Sequence, residues 1–132
     1  MTRVLTCGTY DLLHIGHINF LMRAKKLGDT LIVGVSSDEL NIQKKNRAPI
    51  YSLLERKTII ESLKFIDEVF VETSLEEKRR YVKEKNIDIF VIGDDWKGKF
   101  DALSDICKVV YLPRTPSVST TEIIEKITLN FK

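Results

Sequence analysis

Three observations predict an α/β fold: a Rossmann-like, open, mostly parallel five-stranded sheet with helices on both faces. Short apolar runs alternate with helical stretches along the whole chain. Several of these runs are nearly continuous in β-branched residues, as expected of strands buried on both faces of a parallel sheet. Three Ser-x-x-Glu capping boxes each mark the opening of a helix. The resulting βαβα order places crossover helices between parallel strands.

In chain order, Val4 to Cys7 reads as the first strand, and Ile18, Leu21, Met22 and Leu27 then recur at helical spacing. Leu31 to Val35 is the second strand. Ser52-Leu-Leu-Glu55 opens a helix carrying Ile59, Ile60 and Leu63, and Val69 to Val71 is a third strand. Ser74-Leu-Glu-Glu77 precedes a charged helix. Ile89 to Ile92 is a buried strand that runs straight into Gly93-Asp-Asp-Trp96. Val109 to Leu112 is the fifth strand, and Ser119-Thr-Thr-Glu122 opens a last helix with Ile123, Ile124 and Ile127. No repeat or linker interrupts this order, so residues 1–132 are expected to form a single domain.

Composition narrows the function. The 132 residues, 43% hydrophobic and 30% charged, suit one ordinary core. The 21 basic and 19 acidic residues leave a net charge of +2, which points to no nucleic-acid partner. No apolar run approaches the roughly eighteen residues that span a bilayer, so no membrane insertion is expected. Cys7 and Cys107 sit beside apolar runs without zinc-binding spacing and read as buried free thiols. A reduced, soluble, cytoplasmic domain is expected.

In sheets of this kind ligands bind at the strand C-termini, and three loops there carry unusual chemistry. The first is Gly8-Thr-Tyr-Asp-Leu-Leu-His-Ile-Gly-His17, which holds both histidines of the chain. Its glycines permit close backbone approach, and a helix beginning near His17 turns free N–H groups toward the loop, favouring a phosphate. A cap and a packed ring would account for the pair equally well. The second loop, Gly93 to Trp96, offers Asp94 and Asp95 to ribose hydroxyls or a metal, and an aromatic surface to a base. The third runs from Pro113 to Thr121, where Arg114, several hydroxyls and a capped helix N-terminus suit a further phosphate. Ser119 alone would serve as an ordinary cap. Lys44, Lys45, Arg47, Arg56 and Lys57 form a basic group in a connection long enough to fold over the crevice.

His14-Ile-Gly-His17 is the HIGH motif of the nucleotidyltransferase superfamily, and it follows the first strand as that superfamily requires. The chain resembles the bacterial glycerol-3-phosphate cytidylyltransferases over nearly its full length. The matching stretches include Gly8-Thr-Tyr-Asp11, Glu55-Arg-Lys57, Gly93-Asp-Asp-Trp-x-Gly-Lys-Phe-Asp101, Tyr111-Leu-Pro-Arg-Thr115 and Ser119-Thr-Thr121. The resemblance implies that CTP and glycerol 3-phosphate give CDP-glycerol and pyrophosphate with Mg²⁺ or another divalent cation, in a homodimer, for teichoic acid or a related polymer.

It also implies the site. His14 and His17 would stabilise the transition state, with Lys44 and Arg114 holding phosphates. Thr9, Tyr10 and Asp11 would line the triphosphate region, Asp11 also the metal. Gly93, Asp94, Asp95 and Trp96 would bind the nucleoside. Thr115, Ser119, Thr120 and Thr121 would grip the terminal phosphates, in a segment that closes on the triphosphate. Lys44, Arg56 and Lys64 are candidates for the acceptor phosphate.

Two departures bear on that phosphate. Lys64-Phe-Ile-Asp67 replaces an arginine-led stretch, losing the bidentate fork, and Arg114 to Thr121 lacks the family's glycine. They leave open another phospho-alcohol such as phosphoethanolamine. An adenylyltransferase of the same fold and a non-catalytic nucleotide sensor are the remaining alternatives. A tRNA synthetase shares the HIGH motif, but a chain of this length has no room for tRNA-reading domains.

Overall fold

The computed structural model describes residues 1–114 and 119–131. Strands β1 (Arg3–Gly8), β2 (Thr30–Ser36), β3 (Glu68–Glu72), β4 (Ile89–Gly93) and β5 (Lys108–Leu112) form one sheet in the order β3-β2-β1-β4-β5. Every neighbouring pair is parallel. The sheet is therefore entirely parallel, one step beyond the mostly parallel sheet the sequence predicts.

Successive residues of a strand point to opposite faces, and both faces are buried here. Val4, Leu31, Val33 and Val91 pack on one side with Leu21, Ala24 and Ile60. Leu5, Ile32, Phe90 and Ile92 pack on the other with Tyr81, Val82 and Leu103. This is why the strands read as apolar runs rather than alternating ones.

Helices α1 (Ile15–Lys25), α2 (Asp38–Lys45), α3 (Leu53–Glu61), α4 (Lys78–Glu84) and α5 (Thr120–Asn130) complete the fold. Ser52 and Glu55 form the full reciprocal box, each side chain accepting from the other's backbone N–H. Ser119 accepts from Glu122 N at 3.1 Å. The expected box at Ser74 does not form. Ser74 Oγ accepts from Glu76 N and starts a 3₁₀ turn over Leu75–Glu77, while the Glu77 carboxylate is taken by Arg80. Leu27 and Leu63 lie just past the ends of α1 and α3.

Helix α2 corrects the sequence reading, which left Lys44 and Lys45 in a loop. Its stop and start signals are in the sequence: Ser37 accepts from Leu40 N as N-cap, and Asn46 ends the helix in the left-handed region at φ 58°. What the segment lacks is periodicity, since only Leu40 and Asn41 are buried.

The chain enters at the middle of the sheet, builds outward through β2 and β3, and returns to the other side of β1 with β4. The connections diverge between β1 and β4, and a crevice opens at the C-terminal ends of those strands.

Candidate active site

The turn after β1 is wound tightly. A Cβ on Gly8 would lie 2.9 Å from Tyr10 Cζ, so glycine is what lets the tyrosine ring fold back over the strand end. Tyr10 and Leu12 adopt φ of 54° and 50°, a conformation that L-residues hold only when their surroundings impose it. The restraints are visible. The Asp11 carboxylate accepts from Ile50 N at 2.6 Å and Tyr51 N at 2.9 Å, and Thr120 Oγ1 donates to Asp11 O at 2.8 Å. Arg56 donates from NH1 to Thr9 O at 2.9 Å and to Ser36 O at 2.8 Å, from Nε to Tyr51 O, and from NH2 to Asp38 Oδ1.

This turn delivers His14 as the N-cap of α1. His14 Nδ1 accepts from Gly16 N, and His17 Nδ1 accepts from His14 N, each at 3.1 Å. The two rings stack with centroids 3.8 Å apart, and Tyr10 meets His17 edge-on at 5.6 Å. A ring nitrogen that accepts from the backbone carries no proton, so each neutral imidazole has its hydrogen on Nε2. Burial pushes His17 down to about 3, with the neighbouring His14, Lys45 and Arg114 adding to the effect. Burial, then Arg114, also lowers His14. Both rings are uncharged N–H donors near neutral pH. His14 Nε2 is buried and has no hydrogen-bond partner among the described residues. An unpaired buried donor is costly, and an anionic oxygen in the adjoining cavity would satisfy it.

That cavity, about 460 Å³, lies over the strand ends and is of small-ligand size. Its wall includes Thr9, Tyr10, Asp11, His14 and His17 from the first loop, and Gly93, Asp95 and Trp96 from the second. Arg114, Ser119, Thr120 and Thr121 line it from the third, and Lys44 and Lys45 from α2. Arg114 is exposed and pairs with Asp95 at 3.1 Å. Arg47 NH2 reaches Thr121 Oγ1 at 3.4 Å. Lys44 Nζ donates to Ser36 Oγ at 3.1 Å, and burial lowers its pKa.

Several expected residues stand elsewhere. Arg56 is fully buried and spends its donors on the bonds above, so it braces the cavity from behind and is no acceptor-phosphate ligand. Lys64 is exposed between α3 and β3, at the opposite end of the sheet. It is not among the residues that line the cavity of this chain. Asp94 is exposed and lies outside the cavity wall, leaving Asp95 as the carboxylate that faces in. Thr115, and with it half of the expected closing segment from Arg114 to Thr121, lies outside the described residues.

Asp11, the expected metal ligand, is also a structural anchor. Both of its oxygens already accept short backbone bonds. Among the described residues no group of three or more His, Cys, Asp or Glu is placed to hold a metal ion. Asp11 clamps the backbone at Ile50 and Tyr51.

The sequence reading missed Asn41, Glu72, Leu75 and Lys78, all of which line the cavity. Asn41 Oδ1 accepts from the Thr9 hydroxyl. Glu72 had a signal: a carboxylate closing an apolar strand at the sheet end where ligands bind.

Residues 5–126 match the cytidylyltransferase-like family. The chain is 54% identical, over 96% of its length, to glycerol-3-phosphate cytidylyltransferase of Bacillus subtilis (strain 168), and covers 98% of that protein. It is 46% identical to the Staphylococcus aureus protein of the same name, over 96% of each chain. FAD synthase of Thermococcus sibiricus is 35% identical over 98% of this chain and 94% of its own. Among solved structures, the lipopolysaccharide core biosynthesis protein from Thermoplasma volcanium GSS1 gives a TM-score of 0.76 at 31% identity, covering 87% of this chain and 98% of that one. The chain belongs to the cytidylyltransferase-like family, among its glycerol-3-phosphate cytidylyltransferases.

Proposed function

We propose that this chain transfers a cytidylyl group from CTP to glycerol 3-phosphate, releasing pyrophosphate. The observation that carries the reading is the pair of neutral imidazoles on one helix turn, each with Nδ1 bonded to the backbone and Nε2–H left as a donor. An oxygen of the acceptor phosphate attacks the α-phosphorus of CTP in line. The bond from that phosphorus to the bridging oxygen of the β-phosphate breaks, and pyrophosphate leaves with the electron pair. Charge grows on the nonbridging α-oxygens, and fixed Nε2–H donors there lower the barrier. No general base is required, because a phosphate monoester with a second pKa of about 6 is already ionised near neutral pH.

The remaining roles follow position. Arg114 and the N-terminus of α5, with Ser119, Thr120 and Thr121, take the β- and γ-phosphates. Lys44, assisted by Lys45, neutralises the charge where acceptor and α-phosphate meet. Thr9 and Tyr10 shape the triphosphate wall, and Gly93, Asp95 and Trp96 take the nucleoside. A divalent cation would shield phosphate charge. Among the described residues no group of three His, Cys, Asp or Glu stands ready to receive it, and the triphosphate and Asp11, whose oxygens each keep an acceptor site, would hold it.

We carry over a homodimer and a cytoplasmic role in supplying CDP-glycerol for a teichoic acid or related polymer. No helix among the described residues is long and apolar enough to cross a membrane, and sedimentation would read the oligomeric state.

The test is a coupled pyrophosphate assay with CTP and ATP against several phospho-alcohols. CTP with glycerol 3-phosphate is expected to dominate, with ATP at least about 100-fold poorer in kcat/KM, because a base-pairing site leaves groups unpaired when the wrong base enters. Equal turnover with ATP would remove the cytidylyl assignment. Binding of CTP without pyrophosphate from any acceptor would make the chain a sensor.

A further inference from the structure

The second loop of the cavity is thinly anchored. Between Asp94 and Ala102 only Trp96 and Phe100 are half-buried, and the other residues are exposed. Its turns are local: Lys97 N donates to Asp94 O at 3.0 Å, Lys99 N donates to Trp96 O at 2.9 Å, and Gly98 takes a φ of 84°. A segment with so few buried apolar contacts belongs to the low-stability end of a fold. Yet Trp96 stands on the cavity wall.

A short relay ties Trp96 to the sheet. Trp96 packs on Phe100 with ring centres 5.6 Å apart, and Phe100 meets Phe90 of β4 edge-on at 5.4 Å. Phe100 is held in turn by Tyr111 of β5, which lies beside Ile92 in the strand register. The phenol oxygen accepts from Phe100 N at 3.0 Å and donates to Asp101 Oδ1 at 2.8 Å. One hydroxyl thus grips the loop by backbone and by side chain, at the residue on which Trp96 rests. Tyr111, Phe100 and Asp101 are not among the residues that line the cavity. Resting on the cytidylyl-transfer reading, which places the nucleoside against Trp96, we infer that Tyr111 is a positioning residue: its phenol fixes the indole that the nucleoside meets, without touching the ligand. Without that clasp the nucleoside would have to order the loop itself, and its affinity would fall. Phosphate groups, placed at Arg114 and the start of α5, would not register the change.

The experiment titrates CMP and pyrophosphate, and measures CTP turnover with glycerol 3-phosphate, in Tyr111→Phe, Asp101→Ala and Asp101→Asn. Phenylalanine keeps the packed ring and removes only the hydroxyl; asparagine keeps the Oδ1 acceptor. Tyr111→Phe should weaken CMP and raise the CTP KM by about tenfold, the loss of two hydrogen bonds. Asp101→Ala, which loses one, should do so by about threefold, and Asp101→Asn should stay within about twofold of the unaltered protein. Pyrophosphate binding, the glycerol 3-phosphate KM and kcat at saturating CTP should be unchanged. Trp96 is the only tryptophan of the chain, so its emission reports the loop. It should move to longer wavelength in ligand-free Tyr111→Phe as water reaches the indole, and return when CMP binds. Asp101 is exposed, so Asp101→Ala against Asp101→Asn decides the matter should Tyr111→Phe fail to fold. The inference is overturned if the folded variants bind CMP as the unaltered protein does, if pyrophosphate weakens in step with CMP, or if the tryptophan emission does not move. An unaltered protein that binds CMP but releases no pyrophosphate with any acceptor would remove the transfer reading alone, and the CMP comparison would still decide the role of Tyr111. One that binds no cytidine nucleotide would remove both.

Discussion

At one end of the cavity two uncharged imidazoles are held by backbone N–H groups of α1; at the other a carboxylate and an ammonium are held by each other. Both arrangements keep polar groups out of water, by different means. The imidazoles need no countercharge because they carry no charge, and their donors are aimed by the helix start rather than by a partner that a ligand must displace. Glu72 and Lys78 can remain ionised only as a pair. Fixed neutral donors suit charge that develops transiently, as on an α-phosphate under attack, and cost no reorganisation when it appears.

The comparison can be broken at several points. The largest effect is expected behind the cavity, at the brace common to both ends. Arg56→Ala strands the carbonyls of Thr9, Ser36 and Tyr51 and the Asp38 carboxylate. It should destabilise the fold by about 3–5 kcal/mol in urea denaturation, the usual cost of breaking a buried charge network. A loss below about 1 kcal/mol would mean that the loops hold themselves.

At the histidine end, His14→Ala and His17→Ala should each lower kcat by about 100-fold or more, the loss of one transition-state donor. Stability should fall by only about 1 kcal/mol, the value of a cap. Near-normal turnover in either variant would reduce that ring to a capping role. A smaller effect belongs to Arg114, which is exposed and, among the described residues, bonded only to Asp95. Arg114→Ala should weaken CTP by about tenfold and leave CMP unaffected, since CMP lacks the phosphates the guanidinium would grip. Equal losses measured by titration would move Arg114 to the α-phosphate. Least affected is Lys64→Ala, at the far end of the sheet. Both KM values should be unchanged and stability should shift by no more than about 0.5 kcal/mol.

The sheet, four of the five helices and the three loops of the site were legible in sequence because each has a periodic or capped signature. The all-parallel order follows from those elements once they are placed. What escaped had a different cause in each case. Helix α2 has caps but almost no apolar face. Arg56 and Asp11 look like ligands in sequence because guanidinium and carboxylate are the groups that bind phosphate and metal. Only the fold shows that backbone groups engage them. Glu72 and Lys78 lie six positions apart on either side of a capping pattern that speaks only of a helix start, and their pairing is created by the turn between β3 and α4. A motif marks where chemistry is concentrated, whereas burial decides which charged residue is free to take part.

The claim on which the mechanism rests is that both imidazoles are neutral donors fixed through Nδ1. Nitrogen-15 spectra of the imidazole rings, followed through an acid titration of the ligand-free protein, test it directly. The account predicts the Nε2–H tautomer for His14 and His17, and no protonation of His17 until the pH falls toward about 3. The unfolded chain takes up that proton near pH 6.5 while the folded one does not. Stability contributed by His17 is therefore full above that pH and is lost as the pH falls through the folded value. A proton on Nδ1 of either ring, or an inflection for His17 near 6.5, would contradict the account.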